Sequence, residues 1–147
     1  SDLRVFNKNN NYLSFYVHNA YRKNIGKIIS VLKYSSDSND ESIQNLAKNL
    51  CMHIAALKPE AIDESNLEQT TIDKELNIQK ELIASSGKPA NVVDKILEGK
   101  MKKFYSEVTL LNQSFVLDPD KSVKEVINSN HKDKKFEIDM FNYLSLE

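Results

Sequence analysis

Gly87 and Pro89 divide a helical pattern that otherwise runs from Thr70 to Glu107, and this break constrains the fold more than any other feature of the chain. Before the break, Ile72, Leu76 and Ile83 form an apolar stripe; after it, Val93, Ile96, Leu97, Met101 and Phe104 form a second one. A glycine suits the left-handed position just past a helix end, and a proline suits the first helical position of the next helix. With so short a link the two helices can only pack antiparallel, as an αα-hairpin. Gly99 inside the second helix costs about 1 kcal/mol relative to alanine, so it marks either a close helix contact or a tolerated defect.

A third helix is expected ahead of the hairpin. Ile43, Leu46, Ala47, Leu50, Ile54 and Leu57 share one face at helical spacing. Ser38 with Glu41 makes a capping box, and Asp40 is an alternative N-cap. Lys58 is a favourable last-turn cation, and Pro59 forces the stop.

The first third of the chain reads as β-structure. Tyr12 to His18 alternates, with Leu13, Phe15 and Val17 on one face and Tyr12, Ser14, Tyr16 and His18 on the other. Ile25 to Tyr34 is rich enough in Ile, Val and Leu for a central strand, with Tyr21–Asn24 as the hairpin link. Leu3–Phe6 suits a further short strand. Near the other end, Phe115–Leu117 suits a short strand stopped at Asp118-Pro119. Ser122 and Glu125 form another capping box, opening a short helix with Val123, Val126 and Ile127. Asn128–Lys135 reads as a loop, and Phe136–Leu146 as a closing strand with Phe136, Ile138 and Met140 on one side against Glu137 and Asp139. The expected class is therefore α+β: a small antiparallel sheet of three to four strands packed with helices, and a projecting hairpin. Residues 1–63 and 108–147 would form the core and residues 64–107 the hairpin.

Chemistry is sparse. The chain has 147 residues, 20 basic and 21 acidic, without the basic excess of a nucleic-acid binder. A chain of this length buries roughly 68–70% of its unfolded surface, enough for a core without staples. Cys51 is the single cysteine, so no intramolecular disulfide is available. His18, His53 and His131 are far apart and Cys51 has no CxxC partner, which argues against zinc. With only three glycines, no phosphate-cradling loop is present. Cys51 and His53 stand two apart on a helix and point to different sides, so they make no nucleophile–base pair. His53 borders the apolar stripe and is best read as a core-edge histidine satisfied by a backbone group. Lys100, Lys102, Lys103, Lys132, Lys134 and Lys135 fall at the bottom of the roughly 6–10 phosphate contacts that strong binding needs, and read as solvated faces. No enzyme, cofactor, metal, nucleic-acid or membrane role emerges.

Several motifs together carry a resemblance. Met52-His53-Ile54-Ala55-Ala56-Leu57-Lys58-Pro59, Gly87-Lys88-Pro89, Glu98-Gly99-Lys100-Met101-Lys102-Lys103-Phe104 and Glu107–Val116 with its Gln113-Ser114-Phe115-Val116 end occur in this order. They resemble the C-terminal half of translation elongation factor Ts, the nucleotide-exchange partner of elongation factor Tu. The match extends over roughly residues 12 to 130, with Ser114 standing where that family has proline. The resemblance implies an α+β core subdomain that binds the third domain of elongation factor Tu. The histidine of a Tyr-x-His strand end matches His18 in Tyr16-Val17-His18. The implied contacts are Tyr16, His18, Asn19, Lys48, Asn49 and Met52. From Asn19 to Gly26 the chain is longer and poorer in glycine than the family's usual turn. The family's Thr-Asp-Phe-Val motif and its N-terminal helical module do not occur here, so the resemblance implies a fragment that supplies docking more than exchange. The implied setting is the bacterial cytoplasm or an organellar matrix, and the Asn/Lys/Ile bias fits an AT-rich genome. The competing reading is a structural hairpin domain that forms a homodimer through its stripes and has no GTPase partner.

Overall fold

Alternating apolar residues in the first third of the chain form strands, and the computed structural model, which describes residues 10–18, 27–130 and 133–146, pairs them antiparallel. The chain divides into two units, Ser1–Lys58 with Ser114–Glu147, and Pro59–Gln113. The expected strand at Leu3–Phe6, the turn at Tyr21–Asn24 and the contact residue Asn19 lie outside the described residues.

In the first unit, strands β1 (Asn11–His18), β2 (Lys27–Ser36) and β5 (Phe136–Leu146) form a sheet in the order β1-β2-β5. Helix α1 (Glu41–Leu57) packs on one face of it. The apolar β2 is the central strand, as its composition predicts. Ser30, Leu32, Tyr34 and Ser36 are buried at period two beneath α1. Serines at this face permit a close approach: Ser30 Oγ donates to the Cys51 carbonyl of α1 at 2.6 Å. Leu32, Ile43, Leu50 and Ile54 have no exposed surface, and each such side chain contributes about 1.5–3 kcal/mol through burial.

The register decides which face of β1 is covered and corrects the face expected for Met140. Tyr12 lies opposite Tyr34, Ser14 opposite Leu32 and Tyr16 opposite Ser30, so the polar-looking face of β1 is the one turned to α1. The apolar Phe15 and Val17 lie on the open face, 44% and 45% exposed. In β5 a bulge opposite Lys33/Tyr34 skips Asp139. One extra residue reverses every side chain after it. Phe136 and Ile138 face α1, but Met140 crosses to the open face and Phe141 and Tyr143 take its place. Asp139 is held by the Ser35 hydroxyl, at 2.7 Å to one carboxylate oxygen.

Asp40, not the Ser38/Glu41 box, caps α1: its side chain accepts from the Ile43 N–H at 3.1 Å. Lys58 ends the helix in the left-handed region, with φ 47°. The short strand expected at Phe115–Leu117 is a hairpin. Strand β3 (Ser114–Phe115) turns through Val116-Leu117 into β4 (Asp118–Ser122). Pro119 does not stop it, because a strand at a sheet edge can spare an N–H. The Ser122/Glu125 box forms in both directions, at 2.7 and 3.2 Å. It opens α4 (Val123–Asn130), which runs beyond the expected loop start.

The second unit contains α2 (Gln69–Ser85) and α3 (Ala90–Val108), packed on each other. Gly87 takes φ 66°, the left-handed conformation its position requires. Helix α2 begins one residue before Thr70 without a side-chain cap, and Pro89 is the residue before α3, not its first. The base of the hairpin is closed by backbone bonds: Glu60 N–H to Val108, Leu110 N–H to Ala61 and Leu111 N–H to Ile62. A Cβ on Gly99 would meet nothing within 4 Å, so Gly99 is the tolerated defect and not a close contact.

Candidate functional site

Residues two apart on a strand share a face, which puts Tyr16 and His18 together at the end of β1, on the side that carries α1. Tyr16 is half-buried and His18 is exposed. The Tyr16 hydroxyl lies 3.2 Å from His18 Nδ1, and the two rings are tilted by 34° with centroids 6.2 Å apart.

Residues Lys48 and Met52 are four apart on α1 and Asn49 and Met52 three apart, so the three side chains form one continuous strip of helix surface. Lys48 is exposed; Asn49 and Met52 are half-buried. This helical turn is tied to β1, because the Cys51 thiol donates to the Ser14 carbonyl at 3.3 Å. Ser14 precedes Tyr16 by two residues. The five residues therefore occur on two adjoining elements of one unit, offering an imidazole, a phenol, an amide, a thioether and one cation. Such a set suits the recognition of another protein's surface and lacks a nucleophile with its base.

Cys51 and His53 part as their spacing predicts. Burial pushes the Cys51 thiol up to about 11, which keeps it protonated and unreactive at neutral pH. His53 is fully buried on the opposite side of α1, stacked on Phe115 with ring centroids 5.8 Å apart. Its Nδ1 accepts the Val116 N–H at 3.1 Å. The backbone partner expected for His53 is thus Val116, which sequence alone did not reveal because 63 residues separate the two. The Tyr16–His18 bond was also missed, although the i, i+2 spacing on a strand could have suggested it. Among the described residues, no group of three or more His, Cys, Asp or Glu side chains is placed to hold a metal ion.

Comparison with known proteins relates the chain to a family. The model of the family described as "Elongation factor TS" matches residues 2–146. Elongation factor Ts of Ehrlichia ruminantium strain Welgevonden is 38% identical over 128 residues, covering 87% of this chain and 44% of the relative. Elongation factor Ts of Rickettsia felis is 36% identical over 133 residues, 90% of this chain and 43% of the relative. That of Rickettsia massiliae is 38% identical over 119 residues, 80% of this chain and 38% of the relative. The chain thus spans less than half the length of the relatives it matches.

Proposed function

This chain belongs to the elongation factor Ts family, and we propose that it is the docking module of a translation elongation factor, binding elongation factor Tu so that a longer polypeptide promotes GDP release. The observation that carries this reading is the family match across residues 2–146. The docking surface is Tyr16, His18, Lys48, Asn49 and Met52, with Asn19 beyond the described residues. Its setting is the cytoplasm of a bacterium or the matrix of an organelle.

The mechanism is regulatory and not catalytic. An exchange factor shifts an equilibrium only by its differential affinity for two states of its partner. It must bind nucleotide-poor elongation factor Tu better than the GDP-bound form. The family's Thr-Asp-Phe-Val motif, expected to intrude near the magnesium and phosphate site, does not occur in these 147 residues. This chain therefore contributes attachment, and the intrusion must come from elsewhere.

The homodimer reading draws less support. The hairpin stripes meet each other, with Ile83 and Met101 buried at 3% and 7% exposure. Among the described large apolar residues of α2 and α3, only Ile78 and Leu82 are exposed.

The test is GDP release from elongation factor Tu, measured with this chain and with a full-length factor such as that of Rickettsia felis. The chain should bind the GTPase and accelerate release far less than the full-length protein. Full exchange activity from the chain alone would contradict the division of labour.

A further inference from the structure

We infer that Tyr16 is a positioning residue for His18, fixing its imidazole as the Nε2–H tautomer so that the docking surface presents a single N–H donor to an oxygen acceptor of the partner. The inference rests on the docking reading above and extends it to the chemistry of one contact.

Geometry supplies the starting point. The Tyr16 hydroxyl and His18 Nδ1 are 3.2 Å apart, within hydrogen-bond reach. Either group could in principle donate. A phenol is the more acidic donor, and the unprotonated imidazole nitrogen is the better acceptor, so the Tyr16 O–H donates to Nδ1. The single proton of the neutral ring then resides on Nε2, the nitrogen farther from the backbone. His18 is exposed, which leaves its side chain accessible to a partner.

Tyr16 is suited to hold another side chain because its strand position is fixed and its side chain is partly covered. It is half-buried and lies opposite Ser30 in the sheet register. Ser30 is fully buried and anchored to the carbonyl of Cys51 in α1. His18 is exposed, and an exposed imidazole without a fixed partner rotates and exchanges tautomers. Fixing it in advance removes an ordering cost that would otherwise be met on binding. The partner group implied is a carbonyl or carboxylate oxygen, since either accepts from Nε2–H.

The experiment has two arms on the full 147-residue chain. Nitrogen-15 NMR of the histidine rings at about pH 8, above the ordinary histidine range, reads the tautomer without any partner. Wild type should show His18 Nδ1 as the unprotonated nitrogen, and Tyr16→Phe should shift the ring toward a mixture. Equal tautomer populations in the two proteins would overturn the inference. Titration into nucleotide-free elongation factor Tu provides the second arm. Loss of one exposed hydrogen bond should weaken binding by about two- to tenfold in Tyr16→Phe. His18→Gln places an amide nitrogen near the Nε2 position and should retain more affinity than His18→Asn, which reaches only the Nδ1 position. Wild-type affinity in Tyr16→Phe, or equal losses in the glutamine and asparagine variants, would overturn the positioning role alone. No binding by wild type would instead overturn the docking reading, whatever the NMR arm shows.

Discussion

Asp40 closes the start of α1 with a small network. Its carboxylate accepts the Ile43 N–H at 3.1 Å and the Ser42 hydroxyl at 2.7 Å, and pairs with the Lys134 ammonium. The Lys134 bond, followed by those of Ser42 and Ile43, holds the carboxyl well below the usual carboxylate range. A folded value below the unfolded one means the contribution is complete above the unfolded pKa, about 3.9, and is lost as pH falls through it toward the folded value. The melting temperature of wild type should therefore fall more steeply below about pH 4 than that of Asp40→Asn, which can keep the cap without the charge. The group is solvent-exposed, so added salt should narrow the difference. Parallel acid limbs for the two proteins would contradict this account. Asp40 was legible as an alternative cap. Its tie to Lys134 was not, because 94 residues separate them.

At the scale of the element, local signals identified most of what formed. The α1 stripe from Ile43 to Ile54, the Pro59 stop, the Gly87 turn and the Ser122/Glu125 box all express short-range chemistry, which sequence displays directly; Leu57, expected in that stripe, is 44% exposed because it sits in the last turn of α1. The misplaced features depend on pairing. Met140 was assigned to the wrong face because the bulge at Asp139 is set by the register against β2, which periodicity does not encode. Strand β4 was missed because Asp118-Pro119 looks like a breaker unless its edge position is known. The role of Gly99 depends on tertiary packing, which its neighbours in sequence do not encode. With open space at its Cβ and a helical backbone, Gly99→Ala should stabilise the protein by about 0.5–1 kcal/mol, through both helix propensity and a less free unfolded chain. Denaturant melts would register this as a higher midpoint; an unchanged or lower midpoint would point to a hidden contact.

For the whole molecule, the sheet has one covered and one open face, and the two should respond differently to truncation. Leu32 lies beneath α1 with no exposed surface. Leu32→Ala should cost about 2–5 kcal/mol. Leu144 is on the open face, 57% exposed, and Leu144→Ala should stay within about 0.5 kcal/mol. Similar losses in urea unfolding would mean that the open face is covered in solution. The family motifs made the α+β class legible before the structure, since Met52–Pro59 holds the scaffold and Gly87–Pro89 turns the hairpin. The proposed docking surface follows only from the resemblance. Its residues have ordinary burial and spacing, and nothing in a lone imidazole or lysine announces a partner. The central claim, that this chain docks on elongation factor Tu through His18, is tested most directly by calorimetric titration of nucleotide-free elongation factor Tu with wild type and His18→Ala. The account predicts a saturable wild-type complex that the substitution weakens. Absence of a wild-type complex, or equal affinity of the two proteins, would contradict it.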